Sequence, residues 1–176
     1  MSQTTAIWVL IVLALVFANL PFVLQRPLLF LPWPQKAEQP RPALQRWLLF
    51  IVFSALIGGL AVGAYAWLSQ QFFSGALSLL LTTVSLLLIG AVLFYIPGWV
   101  NGGRGIQKSL FDRFIELTVL YGLVGLLGMA FEAGIGNVFP QEWEFYAITY
   151  SLFLVLGYPS FVMRYLLKRR RVLVPQ

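Results

Sequence analysis

The chain has 176 residues, 60% of them hydrophobic and 10% charged, with a mean hydropathy of +0.84, a balance that excludes an ordinary soluble domain. It contains no Cys and no His, which removes thiolate and imidazole ligation of iron–sulfur clusters, haem or zinc and leaves no cofactor to expect. The formal net charge is +6; because the basic residues flank apolar stretches, it reads as a membrane topology signal and not as a nucleic-acid surface.

A bilayer core of roughly 30 Å is crossed by about 20 apolar residues in a helix. Continuous apolar runs of that length predict helices, since barrel strands would alternate apolar and polar residues. The first span is placed at 5–24. It lacks the positive n-region of a signal peptide and is kept as a helix, although Val16-Phe17-Ala18 resembles a cleavage site. Residues 25–46 hold Pro27, Pro32, Pro34, Pro40 and Pro42 with Arg26, Lys36, Arg41 and Arg46. Such proline density forbids a continuous helix and predicts a basic cytoplasmic connector, with the apolar piece from Leu28 to Trp33 lying among headgroups.

Spans two and three, 48–68 and 72–96, form an antiparallel hairpin across the short Ser69-Gln70-Gln71 link. Pro97 to Gly105 reads as a helix-breaking loop. Its glycines lack the Gly-Lys-Ser/Thr of a phosphate loop. Span four is placed at 111–131 and span five at 145–167, the latter with an internal Pro159 that neighbouring helices can accommodate. The fold class is therefore an all-α integral membrane protein, a bundle of about five transmembrane helices in a single domain.

Charge sets the orientation. All 12 Lys and Arg fall in the segments on one side of the five spans, and the opposite set has none but carries Glu132, Glu142 and Glu144. The positive-inside rule places the C-terminus in the cytoplasm and the N-terminus outside.

Glu116 is the sharpest single residue. An acid within a span costs about 2.5 to 3.5 kcal/mol on insertion scales, so it invites three readings: an ion pair with Arg113 three residues earlier or snorkelling, a partner-facing contact, or proton handling. Asn19, next to Leu20 and Pro21, reads as an amide hydrogen-bonding a proline-loosened carbonyl or another helix. Ala55, Gly59 and Gly63 recur every four residues and Gly122, Gly125 and Gly128 every three, spacings that suit close helix packing within the bundle or with a partner. Arg164, Lys168, Arg169, Arg170 and Arg171 form a stop-transfer anchor or a contact for anionic lipid.

Two sets of segments carry a family resemblance. Ser2-Gln3-Thr4, Trp8-Val9-Leu10 and Ala18-Asn19-Leu20-Pro21-Phe22 form the first. Arg113 to Leu117, Leu120 to Gly125, Pro140 to Ala147 and Arg164 to Arg170 form the second. Together they resemble a family of small uncharacterised bacterial inner-membrane proteins, a domain of unknown function encoded beside the genes of the NADH:quinone oxidoreductase, respiratory complex I. The region from about residue 42 to 105 departs from that pattern as an inserted helical hairpin. The resemblance implies a multi-pass protein of the bacterial inner membrane whose partners are membrane lipids and membrane subunits of complex I. It implies a non-catalytic accessory subunit or assembly factor of the membrane arm, and the absence of paired acids or Ser/His sets argues against an enzyme. The alternative is a small oligomeric transporter or channel, against which stand the single intramembrane acid and the lack of a repeat.

Overall fold

The computed structural model describes residues 3–36, 38, 40–71, 76–101, 106–136 and 140–167. Within them lie α1 (Gln3–Val23), α2 (Ala43–Gln71), α3 (Ala76–Val100), α4 (Leu110–Ile135) and α5 (Trp143–Val162), the last continued by one π-helical turn, Met163–Leu167. These five helices are long and apolar enough to cross a membrane. The only strand-like feature among the described residues is an isolated antiparallel bridge between Lys36 and Gln107.

Local chemistry explains the helix ends. α4 begins with a capping box: the Ser109 hydroxyl accepts from the Asp112 N–H, and the Asp112 carboxylate accepts from the Ser109 N–H. It ends at Gly136, whose φ of 77° is the left-handed conformation that closes helix C-termini. α2 starts directly after Pro42, whose carbonyl accepts from the Arg46 N–H at 3.2 Å. α3 does not stop at Ile96 as the sequence predicts. It runs through Pro97 to Val100, because the Asn101 backbone and side-chain N–H groups both bond the Pro97 carbonyl and finish the last turn.

α1 is the central strut. It packs on both α4 and α5, while α4 also packs on α2, and α3 joins the bundle chiefly through α2. One core cluster unites Ala18, Phe22, Leu28, Leu117, Leu120, Val124 and Phe153, from three helices and the connector. Between 11% and 33% of each span is buried inside the bundle. The remaining apolar surface faces outward, as lipid-facing helices require, since lipid tails are no more polar than Leu.

Most of the predicted packing glycines do not meet another helix of the bundle, which leaves their faces for the partner contact they equally suit. Ala55, Gly59 and Gly63 lie on the exposed side of α2, which turns Phe53, Ile57, Ala61 and Leu68 inward. A Cβ added at Gly59, Gly63, Gly122 or Gly125 would meet nothing within 4 Å, and only Gly128 faces another helix, 3.2 Å from the Leu10 side chain. The tightest helix approach is instead at Gly157, where a Cβ would stand 2.8 Å from the Ala18 carbonyl oxygen.

Replacing Gly157 with Val is therefore expected to force α1 and α5 apart and lower stability by about 1–3 kcal/mol. Gly59→Ala should stay within about 0.5 kcal/mol of the parent. Thermal unfolding in detergent, followed by circular dichroism, separates the two outcomes.

Candidate functional site

The polar side chains gather at the basic end of the bundle, where α1 ends, the proline-rich stretch turns back, and α4 begins. Residues after α1 cannot form a helix because Pro27, Pro32 and Pro34 interrupt it. An extended segment leaves its N–H and C=O groups without helical partners, and buried groups of that kind require others. The expected surface location of Leu28–Leu31 is corrected here: all four residues are buried, packed among α1, α2 and α4.

Glu116 supplies one of the missing partners. Its Oε1 accepts from the Leu28 N–H at 2.8 Å, and its Oε2 accepts from Lys108 Nζ at 2.6 Å. Both side chains of the ion pair are essentially inaccessible, at 0% and 1%. The ion-pair partner is thus Lys108 and not Arg113. Residues 106–109 precede the helix and lie beside the connector, which brings Lys108 back over the first two turns of α4. Burial pushes the Lys108 ammonium below its ordinary value, and the adjacent carboxylate pulls in the opposite direction.

Arg113 points the other way, at the end of α1. Its Nη1 donates to the Pro21 and Phe22 carbonyls at 2.8 and 3.3 Å, and Arg164 Nη1 donates to the same Phe22 carbonyl at 3.0 Å. The last carbonyls of a helix lack partners and carry its negative dipole end. Two arginines, from α4 and α5, complete them. The Arg113 guanidinium also lies over the Tyr165 ring, 5.9 Å from its centroid. Arg164 is engaged inside the bundle; Lys168, Arg169, Arg170 and Arg171 lie outside the described residues.

Asp112 holds the connector's far end: it accepts from Trp33 Nε1 at 2.9 Å and from Gln35 Nε2 at 3.1 Å. Further along, Arg41 donates to the Val100 carbonyl and the Asn101 side chain, at 3.4 and 3.0 Å.

Asn19 sits deeper. Its Nδ2 donates to Leu15 O at 2.7 Å and across to Leu156 O at 2.9 Å, while its Oδ1 accepts from the Ser160 N–H at 3.3 Å. Asn19 therefore bonds a carbonyl and an N–H of α5 beside Pro159, the reading of an amide bonded to another helix. An amide offers one acceptor and two donors, which suits a place where a carbonyl and an N–H both need bridging.

The buried acids and the amide all have partners, while Arg113 Nε is buried without one and Lys36, Gln107, Lys108 and Asp112 border an open pocket of about 580 Å³ beside Trp33. Both Glu116 oxygens, the Asp112 carboxylate and the Asn19 amide are held in internal bonds, and no group of three metal-binding side chains converges among the described residues. Gly122 and Gly125 line a separate groove of about 660 Å³ between α1, α4 and α5, with Glu132 and Gln141 at its mouth. Sequence reasoning missed Lys108, Asp112 and Gly157. The Ser109-to-Asp112 spacing was a visible sign that Lys108 sits just before a helix start.

The sequence model of DUF2818, described as a protein of unknown function, matches residues 6–102 and 93–168. The chain belongs to the DUF2818 family. No curated protein and no solved structure matches it. The matched stretches contain every residue of the polar cluster, from Asn19 and Leu28 to Lys108, Arg113, Glu116 and Arg164.

Removing one member of a buried pair strands the other charge, at a cost of about 3–5 kcal/mol. Glu116→Ala and Lys108→Ala should each lose about that much. The double variant Lys108→Met with Glu116→Leu should recover part of the loss, because it strands neither charge of the pair but still leaves the Leu28 N–H without its acceptor. Unfolding midpoints of Lys108→Met, Glu116→Leu and their double variant test the pair; additive losses would show that the two side chains are not coupled.

Proposed function

We propose that this DUF2818 protein is a non-catalytic accessory subunit or assembly factor of the membrane arm of respiratory complex I, in the bacterial inner membrane. The observation that supports the non-catalytic part is the use made of the buried acids and amide: the Asp112 and Glu116 carboxylates and Asn19 hold helices and connector together. That leaves helix faces and surface loops for function, the equipment of a protein that acts by lateral contact. The choice of complex I rests on the family resemblance and the gene neighbourhood it implies. The α2–α3 hairpin is read as an addition to a core of α1, α4 and α5, supported by the peripheral place of α3.

A tagged copy captured from native membranes in mild detergent, then resolved on a native gel with mass spectrometry, should bring complex I membrane subunits with it. Migration alone or as a homo-oligomer would overturn the accessory reading and favour the transporter or channel, to be examined by liposome flux.

The same proposal places the basic end in the cytoplasm, because Arg26, Lys36, Arg41, Arg46 and Lys108 all cluster there. The absence of native cysteine makes this directly testable. A membrane-impermeant maleimide should label Glu142→Cys in intact spheroplasts and Lys36→Cys only after lysis. Both positions are exposed, so the reverse pattern would invert the assigned orientation.

A further inference from the structure

A second cavity lies away from the polar cluster. It is a cleft of about 510 Å³ between α1 and α3, backed by α2 and α4, a volume typical of small-ligand sites. Its walls are largely apolar, with Leu13 and Phe17 on one side and Leu86 and Gly90 on the other. Thr83 and Tyr95 mark its extent along α3. Twelve residues of helix at 1.5 Å each make that about 18 Å, little more than half of a roughly 30 Å bilayer core. On α2 and α4 the lining reaches Leu68 and Ala130, close to the ends opposite the basic side, so the cleft is an elongated slot along the bundle.

Arg26 stands at the basic-end mouth. Its guanidinium lies over the Tyr95 ring, 5.3 Å from the centroid, and its stem crosses Gly98, where a Cβ would come within 3.3 Å of the Arg26 Cβ. The side chain is thus held in place at the mouth by α3. The ion pairs among the described residues are Arg41 with Glu38 and Lys108 with Glu116, so the Arg26 charge has no carboxylate partner. An elongated apolar slot that ends at a positioned cation without a carboxylate partner is complementary to an amphiphile with one negative headgroup.

We propose that this cleft binds one anionic phospholipid, with an acyl tail lying along α3 and the phosphate on Arg26. The site is distinct from the basic C-terminal tail and stands independently of any protein partner. The phosphate meets the cation at headgroup level, where one Arg contributes about fivefold in affinity. The tail replaces bulk lipid against Gly90, whose missing side chain keeps the slot open.

The test is native mass spectrometry of the full-length protein, titrated with phosphatidylglycerol and with phosphatidylethanolamine of matched tails. The parent should take up one phosphatidylglycerol preferentially. Arg26→Gln should reduce that preference about fivefold, and Arg26→Lys should keep it. Gly90→Leu, at a position where an added Cβ meets nothing within 4 Å, should fill the slot and abolish preferential uptake while leaving the unfolding temperature unchanged. Equal uptake of the two lipids by the parent, or normal uptake by Gly90→Leu, would overturn the site. So would a preference that survives Arg26→Gln but disappears when Lys168, Arg169, Arg170 and Arg171 are replaced by Gln, since that result assigns the anionic lipid to the tail.

Discussion

Between α1 and α2 the backbone must turn inside a water-poor environment without forming a helix, and Glu116 makes that turn possible. A proline-rich strand carries N–H and C=O groups that a bilayer cannot satisfy. Glu116 accepts from the Leu28 N–H, Lys108 neutralises it, and Leu28 to Leu31 can then fill the space among α1, α2 and α4. The desolvation penalty of the two charges is large. It is tolerated because the alternative, unpaired backbone beside a buried acid, would cost more.

The same logic organises the neighbouring termini. The carbonyls at the end of α1 are completed by Arg113 and Arg164, and Asn19 bonds the α5 backbone at Leu156 and Ser160, beside Pro159. Each device joins α1 to α4 or α5 through a main-chain group left over by helix geometry. Three helices that lipid would hold together only weakly are thereby fixed in register, and Gly157 lets α1 and α5 come close enough for the Asn19 bonds to form. A bundle held in this way has few polar groups free for chemistry. The features left unfilled are two apolar ones, the groove beside Gly122 and the cleft that ends at Arg26, and a polar pocket between Lys36 and Asp112 at the basic end.

Some of this was legible without coordinates. The five helices followed from apolar length, and Glu116 and Asn19 stood out because polar groups in apolar spans need a reason. Their partners were less accessible. Arg113 is one turn from Glu116 and was the natural choice by helical spacing, yet Lys108 in the preceding loop reaches the carboxylate, because loop positions are not governed by the 3.6-residue period. Glycine spacing likewise named Gly59 and Gly63, whereas Gly157, with no repeat around it, makes the closest contact. Spacing identifies a small face but not which face another helix covers.

What the sequence determined by itself was class and extent: apolar runs of sufficient length, separated by prolines, glycines and charges, leave helices across a bilayer as the only way to satisfy the backbone. The tertiary structure alone decided which helix lies beside which, that Leu28 to Leu31 go inward, and that Lys108 and not Arg113 meets Glu116. Those outcomes depend on contacts between residues as many as 142 positions apart, where no local periodicity carries information and the competing demands of burial and hydrogen bonding are settled only when all the elements are in place.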